Sequence, residues 1–138
     1  MAFHPKDRVV ASCSEDNSIK LWKLDDGGLI STMKVDDSVL SVAYSPDGTK
    51  LTAGLAYPSN SVVVFDTQTN EQICSLKVDA GEYGVQSVSF SPKGDMVAAG
   101  CYNGNIFFVD AAAGQIKSSV TGHRYVLFPI FSSIFRPV

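Results

Sequence analysis

The feature that most constrains this chain is a unit written three times in phase. Phe3-His4-Pro5-Lys6-Asp7 opens the first copy and Ile19-Lys20-Leu21-Trp22 closes it. Tyr44-Ser45-Pro46-Asp47-Gly48 and Phe90-Ser91-Pro92-Lys93-Gly94 open the second and third, which close on Val62-Val63-Val64-Phe65-Asp66 and Ile106-Phe107-Phe108-Val109-Asp110. Pro5, Pro46 and Pro92 recur at intervals of 41 and 46 residues, and Trp22, Phe65 and Val109 at intervals of 43 and 44. A period in the low forties marks a repeat architecture, in which no unit buries its apolar face alone and each packs on its neighbours.

Each copy reads as four short strands. In the second, Val39-Leu40-Ser41-Val42-Ala43-Tyr44 alternates apolar and small residues, the period of a strand whose two faces differ. The Ser-Pro-Asp-Gly turn fixes φ through Pro46 and places Gly48 where a left-handed conformation is wanted. Strands follow at 50–56, 62–65 and 72–78, and the unbroken apolar run Val62-Val63-Val64-Phe65 suits a strand buried on both faces. The first copy predicts strands at 8–14, 18–23 and 29–35, with residues 1–7 as the end of an innermost strand and its turn. The third predicts 85–90, 95–101, 105–109 and 115–120, with Asn103-Gly104 as its strongest hairpin signal. No stretch has a helical period.

These residues resemble the WD-repeat family, whose propeller blades are four-stranded sheets of roughly 40–45 residues. The resemblance rests on Ser45-Pro46-Asp47-Gly48, Ser91-Pro92-Lys93-Gly94, the run from Asp16 to Lys23, Phe65-Asp66, Val109-Asp110 and Gly122-His123, and covers about residues 2 to 123. It departs from the family pattern in keeping one closing Trp, in placing Lys23 after it, and in retaining one Gly-His pair. The implied fold is all-β, a partial propeller of about three antiparallel blades at 1–36, 37–79 and 80–121. Residues 122–138 read as the start of an aborted fourth repeat with a divergent apolar tail. After Arg124 that tail suggests altered splicing, a frameshift or a gene-model error; the competing reading is a divergent last strand packed on the third blade.

Propellers typically close with about four to eight blades, so three blades in 138 residues imply a larger propeller or association of copies through open blade faces. A net charge of −3, with 11 basic and 14 acidic residues and no basic cluster, gives no attraction to a phosphate backbone and argues against nucleic acid. Cys13, Cys74 and Cys101 are far apart, each within an expected strand and without zinc-site spacing. They read as buried thiols in a reducing compartment, the cytoplasm or nucleus. No apolar run approaches the ~20 residues of a membrane span, and Met1-Ala2-Phe3-His4-Pro5 runs into the repeat without a signal peptide.

Residues that carry chemistry are scarce. His4 and His123 are far apart and explained by the repeat, and no cofactor or metal set is present: the pairs Asp25-Asp26 and Asp36-Asp37 lack calcium-loop spacing. The resemblance implies a structural hydrogen-bond network within a blade, matched in the first copy by Asp16 and Trp22, with Ser12 or Ser14 as the hydroxyl. In the second and third copies Ser59 and Asn103 take the Asp position. In a propeller the loops before each innermost strand and between the second and third strands share one rim. Here they carry Asp36, Asp37, Tyr57, Glu82, Tyr83 and Tyr102, a candidate partner-binding set of aromatics beside carboxylates. The expected function is a non-catalytic scaffold for proteins or peptides. The alternative is a truncated fragment without independent function, prone to self-association.

Overall fold

A computed structural model describes residues 1–123. Twelve strands run in chain order: β1 (Ala2–Phe3), β2 (Val9–Cys13), β3 (Ser18–Lys23), β4 (Leu29–Lys34), β5 (Val39–Tyr44), β6 (Lys50–Leu55), β7 (Ser61–Asp66), β8 (Gln72–Lys77), β9 (Val85–Phe90), β10 (Met96–Cys101), β11 (Asn105–Asp110) and β12 (Gln115–Thr121). They form three four-stranded sheets, β1 to β4, β5 to β8 and β9 to β12, each with its strands in sequence order and antiparallel. No helix occurs among the described residues. The expected aborted repeat begins at 122, and from 124 onward it and its apolar tail lie outside the described residues.

The sheets stack face to face, and the seams between them are the core. Across the first seam, Ala11, Ile19, Leu21 and Met33 meet Val42, Leu51, Ala53, Val63 and Phe65. Across the second, Val62 and Val64 meet Val88, Val97, Ala99, Phe107 and Val109. Strand β7 serves both seams because successive side chains point to opposite faces: Val63 and Phe65 go to the first, Val62 and Val64 to the second. That is why its apolar run does not alternate.

The closing residues sit at an equivalent irregularity in every blade. The pairing of third with fourth strand shifts register between Leu21 and Trp22, between Val64 and Phe65, and between Phe108 and Val109. Such a bulge raises the local twist of the outer strand.

The opening turns are built as their sequence predicts. The N–H of Gly48 donates to the Ser45 carbonyl at 2.9 Å and that of Gly94 to the Ser91 carbonyl at 2.8 Å, with φ of 75° and 74° at the glycines. In the first blade His4 stands in for the serine, its Nδ1 accepting the Asp7 N–H at 2.8 Å.

Candidate functional site

The loops at one end of the three sheets are tied into a continuous rim. They are residues 14–17, 35–38, 56–60, 78–84 and 102–104. The Asn17 side-chain amide donates to the Asp36 carbonyl at 3.3 Å, that of Asn60 to the Gly81 carbonyl at 3.0 Å, and that of Asn103 to the Asp79 carbonyl at 3.0 Å. The turn between the second and third strands of each blade is thus pinned to a neighbouring interblade connection. A backbone bond from the Val39 N–H to the Ser14 carbonyl joins the first blade to the second. Within the second and third blades, the Ala56 N–H bonds the Ser38 carbonyl and the Tyr102 N–H the Gly84 carbonyl, tying each turn to the start of its own innermost strand.

Gly84 makes the close approach that shapes this rim. Its φ is 85°, and a Cβ there would lie 2.5 Å from the Ala56 Cα, so only glycine lets loop 78–84 lie against loop 56–60. The contact sets Tyr83 and Tyr57 around one groove of about 280 Å³, with Leu40 and Ala56 also lining it and Glu15, Ser38, Glu82 and Gln86 among its polar groups. Tyr57 is 60 % exposed, Tyr83 55 % and Tyr102 36 %. The rings of Tyr83 and Tyr102 stack at a tilt, 4.3 Å between centroids.

The expected rim residues therefore divide. Tyr57, Glu82 and Tyr83 line the groove, and Tyr102 extends it through Tyr83. Asp37 faces its own loop system: one carboxylate oxygen accepts both the backbone N–H, at 3.1 Å, and the hydroxyl of Ser59. Asp36 is exposed and contributes its carbonyl to Asn17. Glu15, Leu40 and Gln86 were not foreseen. Glu15 follows β2 as Tyr57 and Tyr102 follow β6 and β10, so aligning the three turns would have found it.

The structural set in the first blade separates into two pairs. Trp22 Nε1 donates to Ser12 Oγ at 2.8 Å. Asp16 instead accepts from the Ser18 hydroxyl, and its own N–H donates to Ser14 Oγ at 3.2 Å. The Ser18 hydroxyl is the main reason the Asp16 carboxyl titrates below its ordinary range. No hydrogen bond joins Asp16 to Trp22 among the described residues, because the carboxylate stays in its exposed turn while the indole lies along the sheet.

The opposite end of the first seam carries a second groove, about 380 Å³, with His4, Tyr44, Thr49, Thr67 and Asn70 in its wall. Its loops interlock: His4 Nε2 lies 3.1 Å from the Gly48 carbonyl oxygen, and the Thr67 hydroxyl donates to the same oxygen at 2.6 Å.

Comparison with known proteins agrees with this architecture. The family model described as "WD domain, G-beta repeat" matches residues 1–23, 27–66 and 70–110. The second and third matched units each span the fourth strand of one sheet and the first three of the next, so sequence repeats and blades interlock. Among curated proteins, the chain is similar to WD repeat-containing protein VIP3 of Arabidopsis thaliana, 27 % identical over 100 % of this chain and 46 % of that protein. It is 25 % identical to human Echinoderm microtubule-associated protein-like 2, over 88 % of this chain and 18 % of that protein. Eukaryotic translation initiation factor 3 subunit I of Pyricularia oryzae is 30 % identical, over 86 % of this chain and 37 % of its own. The chain thus spans less than half the length of these relatives.

Proposed function

The chain belongs to the WD40 family of G-beta repeat proteins, and from that premise we propose that it acts as a non-catalytic scaffold whose rim holds partner proteins. The observation that carries the reading is the cluster of exposed tyrosines, Tyr57, Tyr83 and Tyr102, gathered by glycine-mediated loop contact on a rigid sheet framework. Tyrosine gives a large contact area with a polar end and loses little side-chain freedom on binding. Glu82 and Asp36 supply charge at the margin, whereas Asp37 acts indirectly by holding the 56–60 loop through Ser59. An intracellular setting is supported by the three free cysteines.

The test is affinity capture with wild type, Tyr57→Ala, Tyr83→Ala and Asp37→Ala, beside Lys93→Ala in an opening turn at the other end of the third sheet. Partners lost with the tyrosine variants and kept with Lys93→Ala support the rim. Partners indifferent to every rim change remove it.

A second reading, self-association through the open face of the first sheet, is favoured by the residues that face carries. Val10 and Trp22 pair there, on the side turned away from the first seam, and both are only partly buried. Light scattering across a concentration series tests it: a discrete dimer supports association, and a monomer at every concentration excludes it.

A further inference from the structure

The loops of the rim carry Glu15, Asp16, Asp36, Asp37, Asp79 and Glu82, and no lysine or arginine. The chain as a whole is far more balanced, with 11 basic and 14 acidic residues. Lys34 and Lys77, the nearest basic residues in sequence, end the outer strands β4 and β8.

These acids are not equivalent. Asp16 is engaged by Ser18, Asp37 by Ser59 and Asp79 by Asn103. Glu15 and Glu82, the two that line the groove, are exposed, and among the described residues their carboxylates enter no hydrogen bond or ion pair. The groove between them joins an apolar base, Leu40 and Ala56, to the exposed rings of Tyr57 and Tyr83.

We infer that this groove receives a lysine or arginine side chain from an extended, basic segment of a partner protein. The inference rests on the reading of the rim as the interaction surface. Its occupant follows from complementarity. The long aliphatic stem of a basic side chain covers apolar surface while its charged head stays near water and carboxylates. Tyrosine faces attract the same cation through their quadrupole. At about 280 Å³ the groove lies just below the ~300–1,000 Å³ range of small-molecule pockets, a size that suits one inserted side chain. An acidic peptide would meet six carboxylates and no cation among the rim loops themselves, the neighbouring lysines lying on the strands, so the rim disfavours the wrong charge.

The experiment measures fluorescence anisotropy of the full chain with three labelled peptides of one length. The first is Gly-Ser-Arg-Gly-Lys-Ser, the second has Gln in place of both basic residues, and the third has Glu there. The basic peptide is expected to bind tightest and the acidic one weakest. Glu15→Gln and Glu82→Gln should each weaken the basic peptide by about two- to five-fold, as exposed ion pairs do. Raising NaCl from about 0.05 to 0.5 M should shrink its advantage, because the charges are solvent-exposed. Circular dichroism of each variant establishes that the fold is kept. Equal binding of basic and neutral peptides, both lost in Tyr83→Ala, would overturn the charge selection and leave the rim reading standing. No binding of any peptide, with tyrosine-dependent partner capture intact, likewise overturns this inference alone. Loss of both would overturn both.

Discussion

The imidazole of His4 spans the first seam, its Nε2 placed 3.1 Å from the carbonyl oxygen of Gly48, forty-four residues away in sequence. Nδ1 accepts the N–H groups of Lys6 and Asp7, which leaves the proton on Nε2 to be donated to Gly48. The ring edge also meets Tyr44, 4.9 Å between centroids. A side chain that the repeat pattern places in a turn therefore helps hold two blades together.

This contact predicts an unusually large cost for Gly48→Ala. A Cβ there would lie 2.4 Å from His4 Cε1 and Nε2, at a φ of 75°. Left-handed backbone alone costs a non-glycine residue roughly 1–2 kcal/mol. Gly27→Ala, at φ 71° with nothing within 4 Å of its Cβ, isolates that part. In urea unfolding, Gly48→Ala should lose more stability than Gly27→Ala. In a His4→Ser background the two should converge. Equal losses in the wild-type background would show that the ring yields without cost.

The pair in the first blade gives a second prediction. A double-mutant cycle on Ser12→Ala and Trp22→Phe should show a coupling of about 0.5–1.5 kcal/mol, the worth of one hydrogen bond. A cycle on Asp16→Asn and Trp22→Phe should stay within the ~0.5 kcal/mol expected of independent sites. Strong coupling in the second cycle would mean that the four residues act as one network after all.

The repeat made the blades legible because period-two strands, proline turns and a both-faces-buried run are local patterns with one economical solution. Strand bounds shift by a residue or two where the ladder frays; the expected 50–56, for instance, is observed as Lys50–Leu55. The rim loops followed from repeat position, and so did Tyr57 and Tyr83. What did not follow was proximity across loops. Gly84 carries no pattern until Ala56 lies against it, Glu15 is an unremarkable turn residue until it lines a groove, and His4 matches the turn serines while bonding across a seam.

Acid should weaken the opening turn of the second blade in a defined window. The Asp47 carboxylate accepts the Thr49 N–H and the Ser45 and Thr49 hydroxyls, which hold its pKa down at about 2. A depressed folded-state pKa contributes stability that is fully present above the unfolded value near 3.8 and is lost as pH falls through about 2. The difference in urea midpoint between wild type and Asp47→Asn should be constant from pH 7 to 5 and shrink between about pH 4 and 2. A difference that stays unchanged to pH 2 would show that these hydrogen bonds do not distinguish the ionised form.

The thiol of Cys101 should report opening of the second seam. It is fully buried, and burial first, then the Asp79 charge, pushes its pKa up to about 12. Cys13 and Cys74 are only half-buried, though burial raises their pKa values as well. Since the thiolate is the nucleophile, Cys101 in the closed blade should be the slowest of the three to react with iodoacetamide near pH 8, followed by peptide mass mapping. Its labelling should then depend on transient separation of the blades. Phe107→Ala removes a ring from the same seam, a change that costs about 3–5 kcal/mol in a packed core. It should accelerate labelling of Cys101 far more than that of Cys13, which lies beside the first seam. Equal acceleration at both cysteines would mean that the two seams open together, and that the three blades unfold as one cooperative body.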